Sequence, residues 1–158
     1  MQTFLPYPSF IESVAALDYR RLGKQRIENK QIINVLEGNK VSWQNHPAVK
    51  AWEGCIDALK VYHDFTIKEW TSRGYKNTMP LFFEWTPEFI QDLNHGNIGM
   101  APIDMPWWLG NENFHRAHRA RLIEKLPEYY EQKWPEDKGY NGGKYWWPVM
   151  ETKTFKII

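Results

Sequence analysis

The sequence is nearly free of cysteine. Cys55 is the one cysteine among 158 residues, so the chain cannot form an internal disulfide or a thiolate metal cluster. Cys55 lies within an apolar helical pattern, which favours a small buried thiol over a nucleophile. Such sparse cysteine is typical of a protein from a reducing compartment.

Long apolar runs are also missing. No segment approaches the roughly 20 apolar residues that a membrane-spanning helix needs. The first ten residues lack the basic and apolar regions of a secretory signal peptide. We therefore expect a soluble cytoplasmic protein without a membrane partner.

The chain has no large excess of either charge. Twenty Lys and Arg face nineteen Asp and Glu, for a net charge of +1. Attraction to nucleic acid would therefore have to come from local clustering of cations. The length fits one domain over residues 1–158.

Several catalytic motifs are absent. There is no glycine-rich phosphate loop, GxSxG elbow or dinucleotide fingerprint, which excludes P-loop enzymes, kinases, Rossmann dehydrogenases and serine hydrolases. Neither an HExxH pattern nor a calcium-loop pattern occurs. A metal site would have to combine His46, His115 and His118, so we predict no metal and no cofactor.

What the chain does have is helical spacing and many aromatic residues. Strand-like alternation is nearly absent, and helix-start signals recur at Ser9, Asp18, Thr86 and Asn111. A further helix is predicted from Pro47 to about Arg73. We predict an all-α fold, a compact single-domain helical bundle with long aromatic-rich loops and tail.

The densest cluster of cations lies between Asp18 and Leu36. Asp18 and Glu28 are the only acids in this stretch. Its cations are Arg20, Arg21, Lys24, Arg26 and Lys30. Asp18 can cap a helix, and Gly38 can end it in a left-handed conformation. A cation-rich helix suits phosphate contact, although a solvated outer face would show the same composition.

A second cluster combines imidazole and guanidinium groups. His115, His118 and Arg119 follow the i, i+3, i+4 spacing that places side chains on one helix face. They could contact a phosphate or a base, ligate a metal, or form hydrogen bonds inside the core. His46 precedes Pro47 at a helix start, where an anion can also bind.

Aromatic side chains that reach the surface could stack on unpaired bases. Stacking contributes roughly 1–3 kcal/mol per base. The candidates are Trp43, Trp107, Trp108, Trp146 and Trp147.

The order of these segments resembles the endonuclease V-type pyrimidine-dimer DNA glycosylases of phage and bacteria. The similar motifs are Tyr19-Arg20-Arg21-Leu22 followed by Lys24, Asn45-His46-Pro47, Arg73-Gly74-Tyr75, and Ala120-Arg121-Leu122 followed by Glu124-Lys125. The resemblance runs along about 130 residues of the chain.

This resemblance implies a DNA N-glycosylase with AP-lyase activity. In the family, the N-terminal α-amine attacks C1′ of the damaged nucleotide, and the resulting imine allows β-elimination of the strand. An α-amine has a reference pKa of about 7.7–8.0, so a useful fraction is neutral and nucleophilic at physiological pH. The implied partner is damaged or modified double-stranded DNA in a bacterial or phage-infected cell, bound by a monomer.

The resemblance also implies site residues, although the chain departs from the family pattern at two positions. We expect Met1 and Glu28 to be catalytic. We expect nucleic-acid contacts from Arg20, Arg21, Lys24, Arg26, His46, His115, His118 and Arg119. Arg21 stands where the family has its catalytic glutamate, so Glu28 is the nearest carboxylate and Asp18 the alternative. Gln2 is bulky, so Met1 is expected to be retained.

Two other functions stay open. The chain could be a non-catalytic protein that binds a nucleotide or nucleic acid on the same scaffold. It could also be a metal-dependent hydrolase that uses His46, His115 and His118.

Overall fold

The structure, a computed structural model, describes residues 1–158 and is mostly helical. The helices are α1 (Phe10–Ala16), α2 (Tyr19–Leu36), α3 (Pro47–Lys50), α4 (Ile56–Ser72), α5 (Pro87–Asn94), α6 (Glu112–Lys125) and α7 (Pro127–Tyr130). The strands are β1 (Asn97–Ile98), β2 (Ala101–Pro102), β3 (Trp146–Val149) and β4 (Thr154–Ile157). The all-α prediction is therefore right for most of the chain and wrong for two short antiparallel hairpins, β1–β2 and β3–β4.

Side-chain caps start four of the helices where the sequence predicts them. The side chains of Ser9, Asp18, Thr86 and Asn111 each accept a backbone N–H from the first turn of α1, α2, α5 and α6. Such caps satisfy N–H groups that have no partner within the helix. Gly38, with φ of +79°, follows the end of α2 in the left-handed region that glycine tolerates.

The predicted long middle helix is broken in two. Residues 51–54 form turns between α3 and α4, and Gly54 has φ of +78°. In this turn the carbonyl of Ala51 accepts the indole N–H of Trp108 at 2.8 Å. The long-range contact and the left-handed glycine together explain why the apolar spacing does not give a continuous helix.

The C-terminal segment folds back as the β3–β4 hairpin. Trp147 pairs with Lys156, and Pro148 pairs with Phe155. Pro148 cannot continue a helix, and Lys153 adopts φ of +52° in the connecting turn. The hairpin contacts α6 and α3, so the aromatic tail covers the helices as an ordered sheet.

The core lies mainly between α2 and α4, with α1 packed on α4. The largest fully buried side chains include Trp52, Tyr62, Trp108 and Tyr130. The extended N-terminal arm, residues 2–6, is itself buried. None of the helices is long and apolar enough to cross a membrane.

Candidate active site at the N-terminal amine

Helix α2 holds the N-terminal arm through Gln25. The side-chain Oε1 of Gln25 accepts the backbone N–H of Phe4 at 2.8 Å, and its Nε2 donates to the carbonyl of Gln2 at 2.8 Å. From the other side, the indole N–H of Trp52 donates to Oγ1 of Thr3 at 2.9 Å. An extended segment has no helical partners for its backbone groups, so these side chains satisfy them in the interior.

Helix α6 also holds the arm, through three side chains. Nδ1 of His118 accepts the N–H of Leu5 at 3.0 Å, and Nδ1 of His115 lies 2.8 Å from the Leu5 carbonyl. The guanidinium of Arg119 donates to the carbonyl of Pro6 at 2.8 Å and forms an ion pair with Asp137 at 2.7 Å.

The structure places the three predicted α6 residues in the interior against the arm, and none of them lines the cleft described below. His115 and His118 are 0 % and 1 % exposed, and Arg119 is 8 % exposed. Burial lowers the pKa of His115 and lowers that of His118 well below its usual value of 6.5. Because these side chains are buried and bond the arm, their role in the structure is to position it.

The arm ends with its amine next to Glu28. The nitrogen of Met1 lies 4.0 Å from Oε1 of Glu28, and the N–H of Gln2 donates to Oε2 at 3.1 Å. Lys24, one turn earlier on α2, places Nζ 3.6 Å from Oε1. The Met1 side chain is only 2 % exposed although the residue as a whole is partly exposed. The exposed part of Met1 therefore lies in its backbone.

A cleft of about 340 Å³ lies beside Met1 and Glu28. It is lined by Met1, Gln2, Phe4, Arg20, Arg21, Lys24, Gln25, Glu28, Arg121, Lys125 and Tyr145. Five of these side chains are cationic, and Glu28 is the only carboxylate. Burial and then the nearby cations Arg121, Lys24 and Arg21 lower the pKa of Lys125. A polyanionic backbone fits such a surface.

Tyr145 forms an aromatic part of the cleft wall. Burial raises the pKa of its phenol to about 12, against the opposing effect of Arg121. The guanidinium of Arg121 lies 5.6 Å from the centre of the Tyr145 ring. The phenol therefore stays protonated and can donate a hydrogen bond into the cleft.

Met1, Glu28, Arg20, Arg21 and Lys24 are the predicted site residues that line the cleft together. Arg26 instead points away from it. Its guanidinium donates to Asn77 at 2.7 Å and lies 5.0 Å from the centre of the Trp70 ring.

His46 and Asp18 lie outside the cleft. Burial, followed by the charge of the N-terminal ammonium, lowers the pKa of His46, so this ring is an electrostatic neighbour of the amine. Asp18, the alternative catalytic carboxylate, caps α2, accepts the hydroxyl of Tyr130 and pairs with Arg21 at 3.2 Å. The Asp18 side chain therefore makes structural contacts and does not line the cleft.

The arrangement of the histidines does not support a metal site. No group of three or more His, Cys, Asp or Glu side chains is arranged to hold a metal ion. His115 and His118 face the arm, and His46 caps α3 by accepting the N–H of Ala48 at 3.0 Å. The structure does not bring the three histidines together.

Six cleft residues are missing from the sequence-based site: Gln2, Phe4, Gln25, Arg121, Lys125 and Tyr145. Arg121 and Lys125 are spaced by four on α6 and belong to a motif that carries the family resemblance, so a signal for them was present. Nothing local marks Gln2 or Tyr145, because their position depends on how the arm and the tail pack.

Comparison with known protein families identifies the family of this chain. A family model described as pyrimidine dimer DNA glycosylase matches residues 1–83, which contain the arm, Met1, Glu28 and helices α1–α4. The chain belongs to the pyrimidine dimer DNA glycosylase family. Among curated proteins and among solved structures, no match to the chain is found. Arg121, Lys125 and Tyr145 of this family member lie beyond the matched residues, so their place in the site rests on the structure alone.

Proposed function

We propose that the protein is a DNA-repair glycosylase that removes a damaged pyrimidine from double-stranded DNA and then cleaves the strand as an AP lyase. It acts as a single-domain monomer. Family membership supports the glycosylase class. The observation that carries the finer proposal is that Met1 lines a cationic cleft and its amine lies 4.0 Å from the Glu28 carboxylate.

The chemistry begins when the neutral amine of Met1 attacks C1′ of the damaged nucleotide. The bond between C1′ and the base breaks, and the base leaves with the bonding electrons and takes up a proton. Glu28 accepts a proton from the substituted amine, which is the work of a general base. The nitrogen lone pair then forms the C1′=N imine as the C1′–O4′ bond of the sugar ring breaks, and O4′ leaves with the bonding electrons and takes up that proton. The sugar is then covalently attached to the chain.

Strand cleavage follows from the imine. The imine acidifies C2′, so loss of the C2′ proton expels the 3′-phosphate by β-elimination. Water then hydrolyses the imine and regenerates the free amine. Cleft cations such as Arg21 and Lys125 hold the phosphates on either side of the reacting sugar during these steps.

Borohydride trapping tests the proposal. Reduction of the imine joins protein and DNA irreversibly, and peptide mass spectrometry then locates the bond at Met1. The probes are duplexes that contain an abasic site or a pyrimidine dimer. We expect a trapped adduct with both, because both routes pass through the same imine.

The matched variants are Glu28→Gln and Glu12→Gln. Glutamine at position 28 can still accept the N–H of Gln2 but is a poor base, so we expect trapping to slow by about 10²-fold or more while DNA affinity is retained. Glu12 is exposed on α1, away from the cleft, and its variant should behave as the wild type. Wild-type protein that neither traps nor cleaves either DNA would refute the proposal.

A binding protein without catalysis is the second candidate. The observation that favours it is Arg21, which stands where the family pattern has its catalytic glutamate, and the Glu28 carboxylate already engages Gln2 and Lys24. This candidate predicts that DNA affinity survives both Glu28→Gln and chemical blocking of the amine, with no trapped adduct in any case.

A further inference from the structure

We propose that Trp43 is a stacking platform for an unpaired planar nucleobase of the substrate duplex. This inference deepens the proposed function and rests on it. The relevant surface is the loop between α2 and α3, residues 37–46, which the proposed chemistry does not use.

Trp43 is exposed and held in an unfavourable backbone conformation. The residue is 55 % exposed, and its φ is +73°. Bulky residues rarely adopt the left-handed region, and such strain is found where function requires it. Trp43 is the only exposed tryptophan of the nine in the chain, so most of its ring is available to a ligand.

One face of the ring is already occupied. The Trp43 and His46 rings are stacked, with centroids 5.9 Å apart and planes 19° from parallel. His46 is itself fixed, because its Nδ1 accepts the N–H of Ala48 and Trp147 packs edge-on against it at 6.3 Å. The stack is thus assembled before any ligand arrives, which lowers the entropy cost of binding one.

Trp43 lies beside the reacting end of the chain. A small cavity of about 30 Å³ is lined by both Trp43 and Met1, together with Lys40, and Met1 also lines the cationic cleft. Any DNA whose sugar reaches the Met1 amine therefore brings its unpaired bases close to the exposed ring face.

The chemistry of the ligand follows from the lesion. Bringing C1′ to an amine requires distortion of the duplex, which unstacks bases. A cyclobutane dimer is puckered and stacks poorly on an indole, whereas a planar base that has lost its pair stacks well. The planar base comes either from the strand opposite the lesion or from the position next to the lesion.

The test measures stacking separately from catalysis. The probe is a duplex with a tetrahydrofuran abasic analogue, which cannot form an imine, and 2-aminopurine placed either opposite the analogue or on its 3′ side. The variants are Trp43→Asn, which tolerates the left-handed backbone, Trp43→Phe, which keeps a ring, and Val41→Asn. Val41 lies on the same loop and is 80 % exposed, so its variant controls for the loop.

For Trp43→Asn we expect about tenfold weaker binding of this duplex and a brighter 2-aminopurine signal in one of the two positions, which identifies the base. Trp43→Phe should lie between Trp43→Asn and the wild type, and Val41→Asn should match the wild type. Trapping on single-stranded abasic DNA should change by less than about twofold, since the amine is untouched.

The outcomes separate the two proposals. Equal affinity and equal fluorescence for the wild type and Trp43→Asn overturn the stacking platform, even when trapping succeeds. Wild-type protein that fails to trap overturns the proposed lyase, and the fluorescence still decides whether Trp43 stacks on a base.

Discussion

The backbone N–H of Leu5 donates to Nδ1 of His118 at 3.0 Å. This contact joins the N-terminal arm to α6 and requires a neutral imidazole nitrogen, because a protonated Nδ1 cannot accept a hydrogen bond. The position of the Met1 amine, four residues away, therefore depends on a histidine that does not contact the cleft.

Acid should destabilise the fold through this histidine. The folded pKa of His118 lies well below the value of 6.5, so at pH 5.5 the unfolded chain takes up a proton that the folded chain does not. Stability is thus fully present above pH 6.5 and falls as the pH drops below it, by up to about 1.4 kcal/mol per pH unit for each such proton.

Urea unfolding at pH 7.5 and pH 5.5 measures this dependence. His118→Asn keeps an acceptor near the Leu5 N–H but does not titrate, so the loss of unfolding free energy between the two pH values should shrink by about 1 kcal/mol. His95→Asn removes an exposed histidine and should leave the loss unchanged. An identical loss in all three proteins would contradict the assignment.

Arg119 and Arg121 should have opposite roles although they are neighbours on α6. Arg119 is buried and links Asp137 to the carbonyl of Pro6, whereas Arg121 lines the cleft. Arg119→Ala should lower the free energy of unfolding by about 3 kcal/mol, at the low end for a buried pair because Arg116 still contacts Asp137 at 2.8 Å.

Arg121→Ala should lower stability by about 1 kcal/mol or less and weaken DNA binding. Chemical denaturation and titration with abasic-analogue DNA measure the two quantities on the same preparations. If Arg119→Ala were as stable as the wild type but bound DNA poorly, the result would instead support direct contact between Arg119 and DNA.

Helix α2 was predictable because its signals are local. Asp18 and Gly38 mark its ends, and the spacing of Lys24 and Glu28 places both on one face. The same spacing argument correctly groups His115 with His118 but cannot say what faces them. Their partner is Leu5, which lies 110 and 113 positions away in the chain.

The rest of the site depends on packing between distant segments. Arg121 and Lys125 share a helix face by their spacing, but only the docking of α6 against the arm turns that face toward the cleft. Tyr145 reaches the cleft because the tail folds over α6. The break between α3 and α4 likewise involves Trp108, a long-range partner that helical periodicity does not report.

The cleft cations should determine how strongly salt weakens DNA binding. Each phosphate neutralised by a cation contributes about −0.9 to the slope of log K against log salt concentration for duplex DNA. Lys125→Ala should therefore make the slope shallower by about one unit. Arg26→Ala is the matched control, because Arg26 lies on α2 but bonds Asn77 away from the cleft.

Binding of abasic-analogue duplex at several salt concentrations, under conditions where each variant is folded, gives the slopes. A slope that changes equally in both variants would mean that DNA also covers the Asn77 side of α2. An unchanged slope for Lys125→Ala would remove Lys125 from the binding surface.

Displacing the amine by one residue should abolish the lyase while sparing binding. Glu28 contacts both the Met1 nitrogen and the Gln2 N–H, so the arm fixes the amine within reach of one carboxylate. One glycine added before Met1, left by cleavage of a fusion protein, moves the terminal nitrogen by up to about 3.6 Å. Misplacement of about 1 Å can already cost 10²-fold in rate, so trapping on abasic duplex should fall by about 10²-fold or more.

The control is the same fusion cleaved to leave Met1 first, which should trap at the full rate, and mass spectrometry confirms each terminus. Affinity for abasic-analogue duplex should change less than about threefold, because the cleft cations that set affinity are unaltered. If the extended chain traps as fast as the control, the nucleophile is another amine. Lys24, whose Nζ lies 3.6 Å from the Glu28 carboxylate, is then the side chain to test, by Lys24→Arg.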